Sequence, residues 1–298
     1  KALIFKRDRQ KFTFTGEKAK RGMIGEMVAE NQLFFSVACT MNDVSCVAAM
    51  RWFREQVFFS RDYSDIPRQL LEYSEDQNML KVIFDYAKAA DLGIYDMHFE
   101  FERQELREGA VLSDNIPDKI KTALIQFMHA LEESSNSGEV RLRMGEVTAK
   151  ASHQGENRDG QRAIYQLELS DESDGTRKLM ALAPAVESAL RNGGILLVDE
   201  IERELHPILV NYIVAKFQSK ASNPYGAQLI FTTHNTELMN LELLRKDQIY
   251  FVDKNNEDGT SELYSISEFS TRTSENIRKG YLVGKYGATP DIEIEEVE

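Results

Sequence analysis

The sequence predicts an α/β fold: a mostly parallel core sheet flanked by helices, with an antiparallel β portion and a helical insert. Three observations carry this reading. Ile195–Val198 and Gln228–Thr232 are short apolar runs separated by helical segments, the pattern of strands in a parallel sheet covered on both faces. From about Met23 to Ser135 apolar residues recur mainly at helical spacing. Between these regions, and at the start of the chain, the residues alternate as half-buried strands do.

Taken in order, Ala2–Phe5 and Lys11–Thr15 read as two strands of a hairpin. Leu3, Phe5, Phe12 and Phe14 alternate with other residues, and Arg7–Arg9 forms the turn. In the helical stretch, Val47, Met50, Trp52 and Phe53 mark a helix over Val44–Val57. Met79, Val82, Ile83, Tyr86 and Ala87 mark another, and Ile120, Leu124, Phe127, Met128 and Leu131 a third. One strand interrupts them near Ile94–Phe101. Ser134–Gly138 is a polar loop, followed by strands at Val140–Met144, Val147–Ala151 and Ile164–Leu169, with a turn over His153–Gly160. Thr176–Leu190 is helical, Gly194–Asp199 a strand, Pro207–Gln218 helical and Gln228–Thr232 a strand. Asp247–Val252 and Glu262–Ile266 complete the strands. The expected divisions are a hairpin over 1–22, a helical insert over 23–135 with one strand near 94–101, and a C-terminal lobe over 136–298. No sustained heptads suggest a long coiled-coil arm.

Composition sets bounds. The chain has 298 residues and a formal net charge of −13, which repels nucleic acid and anionic membranes as a whole. The charge is uneven. Lys1, Lys6, Arg7, Arg9, Lys11, Lys18, Lys20 and Arg21 face only Asp8 and Glu17 at the start, and Asp291–Glu298 is strongly acidic. The basic start is either a solvated hairpin face or a local patch for phosphate or nucleic acid. No apolar run is long enough to span a bilayer. Cys39 and Cys46 read as two buried thiols rather than a disulfide, so the expected compartment is the cytoplasm. The sequence does not begin with Met, and it is expected to be a piece of a longer chain.

Three motifs carry chemistry. In Ile195-Leu196-Leu197-Val198-Asp199-Glu200 a buried strand delivers two acids to its C-terminal edge, where ligands bind in open α/β sheets. Asp199 can hold Mg²⁺ beside nucleotide phosphates, and Glu200 can orient and deprotonate a water. In Leu169–Arg177, Ser173 and Gly175 open a helix and offer a hydroxyl and N–H groups to an anion. The plainer reading is that Ser173 or Asp174 simply caps that helix. In Ile230-Phe231-Thr232-Thr233-His234-Asn235 a second apolar strand ends at an imidazole that can donate to a terminal phosphate. The alternative is a structural histidine at a strand end.

Their order and spacing resemble the signature, Walker B and switch-histidine succession of ABC-type ATPases, including the SMC, RecF and OLD-type branch. The resemblance implies an ABC-type ATPase head. Within it Ser173 and Gly175 stand for signature residues, Asp199 for the Walker B aspartate and Glu200 for the catalytic glutamate. Glu204-Leu205-His206-Pro207 matches the D-loop, and His234 the switch histidine. Glu172–Leu179, the ending Gly284-Lys285-Tyr286-Gly287-Ala288 and the helical insert are similar to bacterial AAA/ABC-type ATPases of the OLD-related group, found in abortive-infection and other anti-phage systems. That likeness implies ATP and Mg²⁺ as cofactors, a homo-oligomer of at least two heads and a separate effector protein. A RecF- or SMC-like DNA-binding ATPase of repair is the alternative, and an assembly scaffold with negligible turnover a third reading.

One element of the family pattern has no counterpart. The sequence holds no Gly-x-x-x-x-Gly-Lys-Ser/Thr loop to cradle phosphates. The resemblance places that loop upstream of the hairpin, so this chain alone is expected to be incompetent in hydrolysis. Glu200, Glu202, Glu204 and His206 lack the helical spacing of a zinc motif. No Ser or Cys sits in a nucleophile elbow. Only 64 residues follow His234, and Val252-Asp253-Lys254-Asn255 lacks a second acid two positions on, which argues against an attached OLD-type nuclease.

Overall fold

The structure, a computed structural model, describes residues 3–91, 93–106, 119–123, 125–126, 142–255, 257–270 and 276–289. The chain divides into two compact units: Lys1–Ser60 with Ala185–Ile201 and Tyr212–Glu298, and Arg61–Pro184 with Glu202–Asn211.

In the first unit, β1 (Phe5–Asp8) and β2 (Lys11–Phe14) pair antiparallel, with Phe5 opposite Phe14. The hairpin starts and turns later than expected. Its turn is Arg9–Gln10, with Arg9 in the left-handed region at φ 52°. Phe5, Phe12 and Phe14 surround the buried Phe34, with ring centroids 4.6 to 5.5 Å away. Phe34 begins α2 (Phe34–Thr40), which follows α1 (Lys18–Glu26) and precedes α3 (Val44–Gln56). The start of α3 is fixed by Asp43, whose Oδ1 accepts from the N–H groups of Ser45 and Cys46, each at 3.1 Å. The same carboxylate receives Arg21 at 2.8 Å in a buried ion pair. Both cysteines are free thiols; Cys46 is buried as expected, whereas Cys39 is half-buried.

The helix over Val44–Val57 ends one residue early, because Val57 opens a strand that the sequence reading missed. This strand, β3 (Val57–Phe59), is three β-branched and aromatic residues long, too short for alternation to show. It pairs parallel with a later strand, Ile195–Val198, which pairs parallel in turn with Gln228–Phe231. The parallel core sheet therefore recruits a strand from within the stretch expected to be a helical insert. Among the described residues its two faces are covered unequally. Leu196 and Val198 are buried on one face, whereas Phe59 and Ile230 on the other are 66% and 55% exposed. Alternation within an all-apolar run hid this asymmetry from the sequence.

The second unit contains α4 (Ile66–Glu72), α5 (Gln77–Ala90) and a three-stranded antiparallel meander. Asp76 caps α5 through the N–H groups of Asn78 and Met79. The meander is β4 (Ile94–Leu106), β5 (Leu142–Glu156) and β6 (Arg162–Glu168), with β5 in the centre. Two expected strands and the first part of an expected turn are thus one strand of 15 residues. Gly145 and Glu146, left between the two expected strands, lie in the ladder opposite Arg103 and Glu102. A side chain at Gly145 would meet Leu71 Cδ2 at 2.8 Å. The real turn is set by Asn157, whose Oδ1 accepts from the N–H groups of Asp159 and Gln161. Of the expected third insert helix, Lys119–Ala123, Ile125 and Gln126 are described and helical except for the undescribed Leu124. Its Phe127, Met128 and Leu131, the loop Ser134–Gly138, and the tail Asp291–Glu298 lie outside the described residues.

Beyond the meander come α6 (Asp174–Asn192), β7 (Ile195–Val198), α7 (Pro207–Gln218) and β8 (Gln228–Phe231). The sequence reading places all four within two residues at each end. Gly193, at φ 63°, ends α6 in a left-handed conformation, and a Cβ on it would lie 2.7 Å from the Tyr225 carbonyl oxygen. The last strands, β9 (Tyr250–Lys254) and β10 (Ser261–Ser265), pair antiparallel. α8 (Ile277–Leu282) then leads to Tyr286, which is buried beside Phe251 and Phe269. Tyr264 Oη donates to the Tyr286 carbonyl at 2.6 Å. The Gly284–Ala288 ending thus packs as an aromatic plug on β9 and β10. Among the described residues no helix is long and apolar enough to cross a membrane.

Candidate functional site

The site grows from the parallel pairing of β7 and β8. Their register sets Val198 opposite Phe231, so both strands release their chains at one level and on the same edge. Hydrogen bonds continue past the strands: Thr232 N–H donates to the Val198 carbonyl at 3.1 Å, and Ile201 N–H to the Thr232 carbonyl at 3.1 Å. Asp199 and Glu200 leave one tip, and Thr232, Thr233 and His234 the adjacent one. His234 Nε2 lies 3.8 Å from Glu200 Oε1. The structure therefore brings Asp199, Glu200 and His234 together, all within the first unit.

Thr232 joins the two tips. Its Oγ1 accepts from the Glu200 N–H at 2.8 Å and donates to Asp199 Oδ1 at 2.5 Å. Glu200 sits at φ 46°, a left-handed conformation that is uncommon for a residue with a side chain. Such strain costs about 1–3 kcal/mol and persists where surrounding bonds over-determine it. Here the Thr232 hydroxyl holds the Glu200 N–H, and the turn aims the Glu200 carboxylate towards His234. The sequence reading gave Thr232 no role. The signal was available, because a hydroxyl residue is the first one past a strand that pairs beside the acids.

The site faces water: Asp199 is exposed, the Glu200 side chain is 45% exposed and that of His234 86%. The exposed Asp199 carboxylate is a hard oxygen donor of the kind Mg²⁺ takes, and its bond to Thr232 fixes its orientation. An exposed imidazole can donate to an incoming phosphate.

Ser173 and Gly175 belong to the second unit, at the start of α6. Ser173 Oγ accepts from the Thr176 N–H at 3.1 Å and lies 2.9 Å from Thr176 Oγ1. The capping role considered for Ser173 is therefore present. When Thr176 donates in that hydroxyl pair, the Ser173 proton remains for an outside acceptor, and Ser173 is exposed. At Gly175, a Cβ would come 3.0 Å from the Glu204 carbonyl oxygen, so this glycine lets the start of α6 pack against the Glu204–Pro207 segment. In that segment Glu204 is left-handed at φ 66° and Leu205 is buried. His206 Nδ1 accepts from the Ile208 N–H at 3.3 Å, and Pro207 begins α7.

Residues 48–240 match the family described as "AAA domain, putative AbiEii toxin, Type IV TA system". The chain belongs to this AAA-domain family. The match covers well over half of the chain and includes all three motifs. A relative from Vibrio cholerae serotype O1 biovar El Tor, described as "Retron Vc95 probable ATPase", is 40% identical over 63 residues. Those residues are 21% of this chain and 12% of that relative, so the chain matches a small part of its length. The mixed α/β structure, with a three-stranded parallel sheet, antiparallel sheets and several helices, fits an ATPase of this AAA-domain family.

Two cations of the basic start are engaged within the fold. Arg7 in the basic start donates to the carbonyls of Glu30 and Gln32 and lies over the Phe12 ring at 5.1 Å, while Arg21 is buried on Asp43. Both guanidinium groups hold the N-terminal fold together, and Lys1 lies outside the described residues. Among the described residues the metal-compatible cluster is Asp91, His153 and Glu172, three residues that sequence spacing did not connect.

Proposed function

We propose that the chain is the greater part of an ATP-hydrolysing head whose reaction centre is Asp199, Glu200 and His234, completed by a phosphate-binding loop outside these 298 residues. The observation supporting this reading most strongly is the convergence of the acidic pair and the imidazole at adjacent parallel strand tips, tied by Thr232. Mg²⁺, when bound with ATP, neutralises charge on the β- and γ-phosphates. Asp199, at the tip of β7, would hold that ion. Glu200, positioned by its left-handed backbone, accepts the proton of the attacking water. His234 donates to the γ-phosphate and keeps the Glu200 carboxylate oriented. Ser173 and the α6 N-terminus of a second protomer cover the nucleotide from the other side. ATP then joins two heads, and hydrolysis releases them, shifting the population between closed and open states.

The family description and the retron relative support a role in anti-phage defence, with the head controlling a separate effector. A Glu200→Gln version of the complete protein with ATP and Mg²⁺ should sediment as a dimer and retain unhydrolysed ATP. Monomers at saturating ATP, or hydrolysis at the parental rate, would remove Glu200 as the base and with it this reading.

A further inference from the structure

We propose that Asp91, His153 and Glu172 form a binding site for one divalent transition-metal ion, with zinc the best match. Each residue presents one ligand atom, and the three atoms lie within 4.8 Å of one another. They come from three elements of the second unit: the C-terminal end of α5, the central strand β5, and the loop that enters α6. His153 is fixed by the ladder on both sides, opposite Ile94 on β4 and Tyr165 on β6.

The site is built rather than incidental. The Glu172 side chain is 3% exposed and that of His153 16%, and Glu172 Oε1 lies 2.7 Å from His153 Nε2. A buried carboxylate is costly unless its charge is compensated. Asp91 Oδ1 accepts from the Gly93 N–H at 2.7 Å, which fixes that carboxylate too. A carboxylate has about four lone-pair sites, so this bond leaves capacity for a cation. Gly93 keeps the space open: a Cβ there would lie 3.0 Å from Asp91 Oδ1 and 3.3 Å from His153 Nδ1.

Two carboxylates and a neutral imidazole carry two negative charges, which a divalent ion balances. One nitrogen and two oxygens suit zinc, with a water in the fourth position. Around zinc, ligand atoms at bond lengths of about 2.0–2.2 Å sit about 3.3–3.6 Å apart in a tetrahedron. The cluster reaches that geometry when the widest separation contracts and the His153–Glu172 pair opens by about 0.6–0.9 Å. A bound ion would pin the loop ahead of Ser173 to the meander and the end of α5. Its residues are distinct from Asp199, whose exposed carboxylate is a hard oxygen donor of the kind Mg²⁺ takes.

The test uses the full 298-residue chain, stripped with a chelator and titrated with zinc chloride by calorimetry, then with cobalt(II) chloride by visible absorption. The expected result is one zinc per chain and the bands of low-symmetry cobalt. Asp91→Asn, which keeps the acceptor for the Gly93 N–H, and His153→Gln should each weaken zinc binding at least about tenfold. No zinc at one per chain overturns the proposal. A folded variant of either kind that binds zinc as the parent does overturns it as well. Where circular dichroism shows His153→Gln unfolded, Asp91→Asn alone decides.

Discussion

Replacing Thr232 with valine tests how the two strand tips are joined. The change keeps the branched shape and removes only the hydroxyl that accepts from the Glu200 N–H at 2.8 Å and donates to Asp199. Net hydrogen bonds contribute about 0.5–1.5 kcal/mol each, more when one partner is charged. The site is exposed, so water replaces part of what is lost. The expected loss of stability is about 1–2 kcal/mol, or a Tm lower by about 2–4 °C per kcal/mol. Turnover should suffer more. Without the hydroxyl nothing in this pair of bonds holds Glu200 in its left-handed turn, and the carboxylate of Asp199 loses its fixed orientation. Misplacing the proposed base and the proposed metal ligand is expected to slow ATP hydrolysis by the complete protein about 10–100-fold, or about 1.4–2.7 kcal/mol in barrier. Thr232→Ser keeps the hydroxyl and should retain most of the rate. The assay is steady-state phosphate release, alongside thermal unfolding of parent and variants. Parental turnover and Tm in Thr232→Val would refute the reasoning.

Other substitutions separate strain, packing and charge. Glu200→Gly relieves the left-handed backbone at φ 46° and should raise stability by up to about 1 kcal/mol while abolishing turnover; chemical denaturation measures the first effect. Gly175→Ala places a methyl group 3.0 Å from the Glu204 carbonyl oxygen. It should cost about 1–3 kcal/mol and shift the start of α6, seen as altered amide signals around Thr176. The Arg21 hydrogen bond, working against burial, lowers the Asp43 carboxyl from 3.8 to about 2. A carboxylate with a lowered value stabilises the fold above pH 4, and this contribution of about 2 kcal/mol disappears as pH falls from 4 towards 2. Asp43→Asn should therefore lower stability at pH 7 and flatten the acid limb of a pH–stability curve. Burial raises the Cys46 thiol to about 11, with Asp43 adding to the effect. Alkylation of the folded chain at pH 8 should therefore leave Cys46 thiol intact, as read by mass spectrometry.

The core of the site was legible because each part has a local signature. An apolar strand ending in Asp199-Glu200 and another ending in Thr232-Thr233-His234 announce themselves, and Pro207–Gln218 is a helix with Pro at its first position. Parallel pairing then follows from the helix between them. Features fixed by long-range register were not legible. Val57–Phe59 looks like the end of a helix until β7 pairs with it. Leu142–Glu156 looks interrupted at Gly145 until Leu71 occupies the space a side chain would need. Asp91, His153 and Glu172 are far apart in sequence, and only the meander ladder and the loop before α6 bring them together. Thr232 falls between these cases, since it lies inside a recognised motif but its role requires the β7–β8 register. The basic start is legible only in part. Charge counting cannot distinguish Arg7 and Arg21, which bind backbone carbonyls and Asp43, from cations available to a ligand.

The measurement that bears most directly on the account is the rate of ATP hydrolysis by the complete protein, compared among the parent, Asp199→Asn, Glu200→Gln and His234→Ala, each shown folded by thermal unfolding. The account predicts a fall of about 100-fold or more for Asp199→Asn and Glu200→Gln, and about tenfold for His234→Ala. Rates within threefold of the parent for all three variants would contradict it.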